Sequence, residues 1–196
     1  TVLAAIQMVS SADVEENIAA AERLIARAAG QGGEVVVLPE YFCLMSREDA
    51  DRVRIAEAPG DGPIQTALAN AASRHGVWLV GGTLPMRSTH EDKVYNASCA
   101  YGPDGALIAR YDKIHLFSYR SDREVYDEGA VLEAGDTPVA VQMAGLRVAL
   151  SICYDLRFPE LWRLAALAGA EVFLLGASWP AARQKHWRAL CIARAI

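Results

Sequence analysis

The chain has 196 residues, 53% of them hydrophobic and 22% charged, which suits one compact domain with a sizeable core and argues against disorder. Its net charge is −5, from 19 basic and 24 acidic residues with no Lys/Arg run, so nothing electrostatic points to nucleic acid or a membrane as partner. No apolar stretch nears the ~20 residues of a membrane helix, and Thr1 to Val9 lacks a basic leader, so it reads as a first strand and not a signal peptide.

After the strand Val2 to Val9, Asp13 is placed to cap a helix. Glu15 and Glu16 stand in its first turn, Ile18, Ala21, Leu24, Ile25 and Ala28 line one face, and Gly30, Gly32 and Gly33 end it. Glu34 to Leu38 is a buried strand ending at Pro39. Ala58 to Pro63 is turn chemistry. Ile64 to His75 is a second helix closed by Gly76, and Val77 to Val80 is the next strand, leading to Gly81-Gly82-Thr83. Lys93 to Tyr101 and Ala106 to Tyr111 flank Gly102-Pro103-Asp104-Gly105, a hairpin signal. Val139 to Met143 and Leu146 to Ile152 flank Ala144-Gly145, a second one. A helix from Pro159 to Ala168, a strand from Glu171 to Leu175 and a helical pattern from Ala181 to Ile196 complete the chain. Alternating helices and strands with hairpins between them predict an α/β layered fold with a mixed sheet.

Three strand ends carry chemistry. Cys153 stands where the apolar run Leu146 to Ile152 meets a helical pattern, a strand–turn–helix setting that lifts a nucleophile off a sheet and aims backbone N–H groups at its target. Glu40 follows Leu38-Pro39, and Lys113 follows Tyr111-Asp112. Amide hydrolysis needs a nucleophile, a proton shuttle and a stabiliser of the tetrahedral oxyanion. Cys153, Glu40 and Lys113 can fill these roles, with the backbone N–H of Tyr154 as second oxyanion donor. Taken alone, each residue has a plainer reading: a small buried hydrophobe, a turn carboxylate and a strand-end surface lysine. Strand ends are where α/β sheets gather their sites, which weakens those readings. His115, two residues from Lys113, is the rival base. His186 beside Trp187 packs or lines the site, while His75 and His90 read as surface or loop residues. No histidine pair has helical zinc-ligand spacing, so no metal and no cofactor are expected. Cys43, Cys99 and Cys191 read as inert. The absence of C-x-x-C pairs and the chain size make a disulfide framework unlikely and fit a reducing, cytoplasmic protein.

The blocks Leu38-Pro39-Glu40, Tyr111 to Phe117 and Cys153 to Leu161 resemble, in order and separation, the Glu–Lys–Cys motifs of the nitrilase superfamily of carbon–nitrogen hydrolases. Ala5-Ile6-Gln7, Gly81-Gly82, Tyr95-Asn96, His186-Trp187 and Arg194-Ala195 extend the resemblance over essentially the whole chain. It implies a four-layer αββα sandwich with mixed sheets that pairs as a homodimer or higher even-numbered oligomer. It also implies Glu40 as general base, Lys113 as oxyanion stabiliser and Cys153 as nucleophile. A second glutamate of the family, which orients these groups, matches Glu128, with neighbouring Glu124 as the other choice. Family members continue past the last helix. Residues 1–196, whose helical pattern stops without a cap signal, are therefore expected to be a single carbon–nitrogen hydrolase domain truncated at its C-terminus.

Tyr154-Asp155-Leu156-Arg157-Phe158-Pro159-Glu160 after the cysteine resembles the omega-amidase-like group, which cleaves small linear amides bearing a distant carboxylate. A Trp-Glu pair at that point, usual in true nitrilases, is lacking. Arg157 offers a guanidinium for such a carboxylate, or else caps or pairs with Asp155 or Glu160. Tyr41, Phe42 and Trp179 are expected to wall the pocket together with Tyr154. Hydrolysis of N-carbamoyl amino acids or aliphatic nitriles is the enzymatic alternative. An inactive family member, an interaction fragment or a redox-sensing thiol is the alternative of another class.

Overall fold

The computed structural model describes residues 1–46, 48–122 and 125–196. Its larger sheet has seven strands. β1 (Leu3–Ala5), β2 (Val35–Val37) and β3 (Trp78–Val80) run parallel and adjacent. The long β5 (Val94–Tyr101) then pairs antiparallel with β3 through Ala100 and Tyr101, and with β4 (Leu84–Arg87) through Val94 to Ala97. Its opposite edge carries β6 (Leu107–Asp112), antiparallel, and the two-residue β9 (Leu132–Glu133), parallel. A second sheet has the order β10 (Ala140–Met143), β11 (Leu146–Ile152), β12 (Val172–Gly176), with β11 and β12 parallel. β7 (Ser118–Arg120) and β8 (Val125–Asp127) form a separate exposed hairpin.

Alternation along the strands builds the layers. Val36, Leu79, Cys99 and Tyr101 face α1 (Val14–Gly30) and α3 (Pro63–His75). Their neighbours Val35, Val80 and Ala100 face the other way, onto Met143, Val148, Leu150 and Ile152 of the second sheet. That sheet turns Phe173 and Leu175 outward to α4 (Pro159–Leu167) and α5 (Gln184–Ala195), through Leu161, Trp162, Trp187 and Leu190. Helix, sheet, sheet, helix is the expected αββα order. A strand covered on both faces must be apolar throughout, which is why β2 reads Val-Val-Val.

Local signals act as anticipated at most ends. The Asp13 carboxylate accepts the Glu16 N–H at 3.0 Å, and Gly76, at φ 62°, closes α3. The β10–β11 hairpin turns on Ala144 and Gly145, both at positive φ. The first strand is shorter than Val2 to Val9, three residues against the register of β2. β4, β7, β8, β9 and the six-residue α2 (Asp49–Arg54) were not anticipated. β4 contains Pro85, whose missing N–H argues against a strand; among the described residues β5 is its one strand neighbour, and its other edge is bridged only by Glu57 at Met86.

Candidate active site

Four strands end at one place. β2 delivers Glu40, β6 delivers Lys113, β11 delivers Cys153 and β12 delivers Ser178, so both sheets contribute. The backbone is drawn tight there. A Cβ on Gly82, at φ 57°, would lie 2.1 Å from the Pro39 carbonyl oxygen, so only glycine admits this approach of the β3–β4 connection to the Glu40 segment. Tyr41 and Cys153 adopt φ of 57° and 43°, left-handed values that side chains with a Cβ rarely take.

Lys113 is 1% exposed, and its Nζ donates to Glu40 Oε1 at 2.9 Å and to Glu128 Oε1 and Oε2 at 3.0 and 2.9 Å. Glu40 is held from two further sides. Asn96 Nδ2 donates to Oε1 at 3.0 Å and the Ser178 N–H to Oε2 at 2.9 Å. Glu128 opens a short 3₁₀ turn (Glu128–Ala130) and also accepts the Tyr41 hydroxyl at 2.9 Å and the Phe117 N–H at 2.6 Å. Its rival Glu124 lies outside the described residues. The Cys153 Sγ sits 3.9 Å from the Ser178 carbonyl oxygen, so Ser178 touches the carboxylate through its N–H and the thiol through its C=O.

The electrostatics follow. Burial alone would lower the Lys113 pKa, but Glu40 and then Glu128 outweigh it and hold the ammonium above its ordinary range. Burial, then the Glu40 charge, push the Cys153 thiol well above its ordinary range against the pull of Lys113. The resting sulfur is therefore a neutral thiol. Burial, then Glu40 and Glu128, also raise the Tyr41 phenol, keeping its proton available for Glu128.

The turn after β11 is held by Asp155, which is completely buried. Its carboxylate accepts the Ile152 N–H at 2.8 Å, the Tyr111 hydroxyl at 2.7 Å and the His115 N–H at 3.1 Å, and lies 2.8 Å from His115 Nδ1. The His115 ring stacks on Phe158 at 3.7 Å, so it is engaged with the floor of the turn. Arg157 makes no ion pair with Asp155 or Glu160 among the described residues. Its guanidinium lies over Tyr154 and Trp179 at 5.8 and 5.2 Å and 3.3 Å from Nδ1 of the exposed His186. Trp179 donates its indole N–H to the Arg183 carbonyl at 3.0 Å and packs against Trp187. Tyr154 meets Phe117 edge-on at 5.1 Å. Phe42 is buried in the helix-side core and not in the pocket wall.

Three supports were given no site role in the sequence: Asn96, quoted only within the family resemblance, Ser178, and Thr83, whose hydroxyl accepts the Tyr41 N–H at 2.8 Å. Asn96 had a usable signal, an amide inside the mostly apolar run of β5, where it is buried. Ser178 acts through its backbone, which leaves no side-chain signature. Among the described residues no cluster of three or more His, Cys, Asp or Glu is placed to hold a metal ion, and no helix is long and apolar enough to cross a membrane.

Comparison with known proteins decides the family. The carbon–nitrogen hydrolase family model matches residues 2–196. The chain belongs to that family. Within the nitrilase superfamily it falls in the omega-amidase-like branch. The carbon–nitrogen hydrolase domain is 39% identical over 202 residues to the deaminated glutathione amidase of Synechocystis sp., covering 98% of this chain and 72% of the relative. It is 33% identical over 201 residues to the human omega-amidase NIT2, covering 99% and 70%. The NitFhit protein of C. elegans superimposes with a TM-score of 0.91 at 30% identity, over 99% of this chain and 48% of that one. The chain thus spans about half of the worm protein.

Proposed function

We propose that this carbon–nitrogen hydrolase is an amidase that cleaves small linear, carboxylate-bearing amides through a Cys153 thioester and releases ammonia. One observation carries the reading. A buried ammonium, Lys113, is gripped by two carboxylates, Glu40 and Glu128, and Ser178 binds both Glu40 and the thiol of Cys153.

The geometry supports the following course. Glu40 takes the proton of the neutral Cys153 thiol as sulfur attacks the amide carbonyl. The oxyanion that forms is held by Lys113 and the Tyr154 backbone N–H. Glu40 then gives its proton to the departing nitrogen, the C–N bond breaks and ammonia leaves. Water attacks the thioester, Glu40 accepts its proton, and the acid product departs as the thiol is restored. Glu128 does not enter the proton path. It fixes the Lys113 ammonium and, through Tyr41, the strained Glu40-Tyr41 backbone. Arg157 serves the substrate carboxylate, with Tyr41, Tyr154 and Trp179 forming the walls.

Residues 1–196 are read as one carbon–nitrogen hydrolase domain. We place it in the cytoplasm, where its four free cysteines stay reduced. We pair it as a homodimer or a higher even-numbered oligomer, in keeping with the exposed Leu164, Leu167 and Ile192 on the outer helix layer. Light scattering coupled to size exclusion tests the assembly. The activity is tested by ammonia release from a panel of short ω-amides with a terminal carboxylate, N-carbamoyl amino acids and aliphatic nitriles. Turnover concentrated in the first set is the expected result. Turnover only of nitriles or carbamoyl compounds overturns the reading.

A further inference from the structure

A second guanidinium lies on the aromatic residues that adjoin the site. Arg183 ends a 3₁₀ turn (Ala181–Arg183), and two bonds fix its main chain: its N–H donates to the Pro180 carbonyl at 2.9 Å, and its carbonyl accepts the Trp179 indole N–H at 3.0 Å. Its side chain is half-buried, and the guanidinium carbon lies over the Tyr119 ring at 4.4 Å and the Phe117 ring at 5.5 Å. No carboxylate among the described residues pairs with it.

Arg157 is held in the same manner on Tyr154 and Trp179, also without a carboxylate partner. The Phe117–Tyr154 contact at 5.1 Å joins the two stacks into one wall. That wall is rooted in the reacting groups. Tyr154 follows Cys153, Trp179 follows Ser178, and the Phe117 N–H is bonded to Glu128. A guanidinium stacked on an aromatic ring can still turn its N–H edge to a carboxylate and grip it in bidentate fashion. Two such guanidiniums, half-buried and without a carboxylate partner among the described residues, stand on one aromatic wall next to Cys153, and the ring of His186, 3.3 Å from one Arg157 nitrogen, balances neither charge.

We infer that Arg183 is a specificity-determining residue of this enzyme and acts with Arg157 as a two-guanidinium clamp on the substrate carboxylate. The inference rests on the amidase reading above and adds a residue to it. The test compares wild type, Arg183→Gln and Arg183→Lys on a short linear ω-amide ending in a carboxylate and on its methyl ester. Glutarate binding, measured by calorimetry, provides a readout that needs no turnover.

Loss of a charge-assisted contact predicts that Arg183→Gln lowers the carboxylate-over-ester ratio of kcat/KM by about 10- to 100-fold, mainly through KM, with glutarate affinity falling by a similar factor. Arg183→Lys is expected between the two, since it keeps the charge and loses the fork. An equal loss on both substrates, or glutarate affinity unchanged in Arg183→Gln, overturns the inference. If the wild type hydrolyses neither compound but binds glutarate in an Arg183-dependent way, the amidase reading falls and the clamp stands. Absence of both turnover and binding in the wild type removes both.

Discussion

At the scale of the residue, burial and the Glu40 charge hold the Cys153 thiol above its ordinary range, beside the carboxylate proposed as its base. On the proposed course Cys153→Ala removes the nucleophile and exchanges a thiol buried in the inter-sheet core for a methyl group of similar size. Hydrolysis is expected to vanish while the circular dichroism spectrum and melting temperature stay close to wild type; substantial turnover surviving would eliminate the thioester course. Glu40→Gln is expected to cost ~10²–10⁴ in kcat, the usual contribution of a general base, and Lys113→Ala ~10²–10³, the usual loss for a single oxyanion donor. His115→Ala should cost at least tenfold less than Glu40→Gln, because the ring is committed to Asp155 and Phe158. Steady-state kinetics of the three variants check the order, and equal damage from His115→Ala would favour a Cys–His mechanism instead. Cys153, Glu40 and Lys113 were readable because each ends an apolar strand. Glu128 was not readable from local pattern and came only through the family resemblance. Its importance lies in bonds to Lys113, Tyr41 and Phe117 that no local pattern encodes.

At the scale of the element, the ends of helices and hairpins carry much of the specification. The N-terminus of α3 is capped from outside by Glu57, which is buried and accepts the N–H groups of Ile64 and Gln65 at 2.5 and 3.0 Å. Gly62, at φ 148°, makes room for it, since a Cβ there would lie 2.2 Å from the Glu57 carboxyl carbon. Glu57→Ala leaves two helix N–H groups without their acceptor, and thermal unfolding should show a loss of about 2 kcal/mol. Ala144 holds φ 49° in the β10–β11 turn. Ala144→Gly should relieve about 1 kcal/mol of strain and raise Tm by roughly 2–4 °C. Elements with strong periodic patterns were legible, as in α1, α3 and β2. α2 and β9 are too short to display a period, and β7 and β8 bury too little to display an apolar face.

At the scale of the whole molecule, the layer order was legible because the chain alternates helices and strands, while the division of strands between two sheets depends on long-range pairing that sequence spacing does not reveal. The layered core also fixes the response to alkali. Burial pushes the Cys43 and Cys99 thiols from 9.0 to about 12, and Lys113 is held above 10.5. Unfolded thiols release protons above pH 9 while the folded ones retain them, so the unfolded state binds fewer protons there. Stability is therefore full below pH 9 and falls as pH rises toward 12, by about 1.4 kcal/mol per pH unit for each thiol. Lys113 adds to the fall above pH 10.5. Urea midpoints measured from pH 8 to 11 should decline beyond 9, and more gently in the Cys43→Ala/Cys99→Ala variant. Equal slopes would show that other groups govern the alkaline limit.

The bond from the Ser178 N–H to Glu40 ties the end of a strand in one sheet to the end of a strand in the other. Catalytic competence is thereby a gauge of how the two sheets are seated. A small slip between them parts the thiol from the carboxylate proposed as its base long before either sheet loses a ladder bond. Mild denaturant should accordingly silence turnover at concentrations that leave the far-ultraviolet spectrum intact, and removal of the denaturant should restore turnover without a refolding lag.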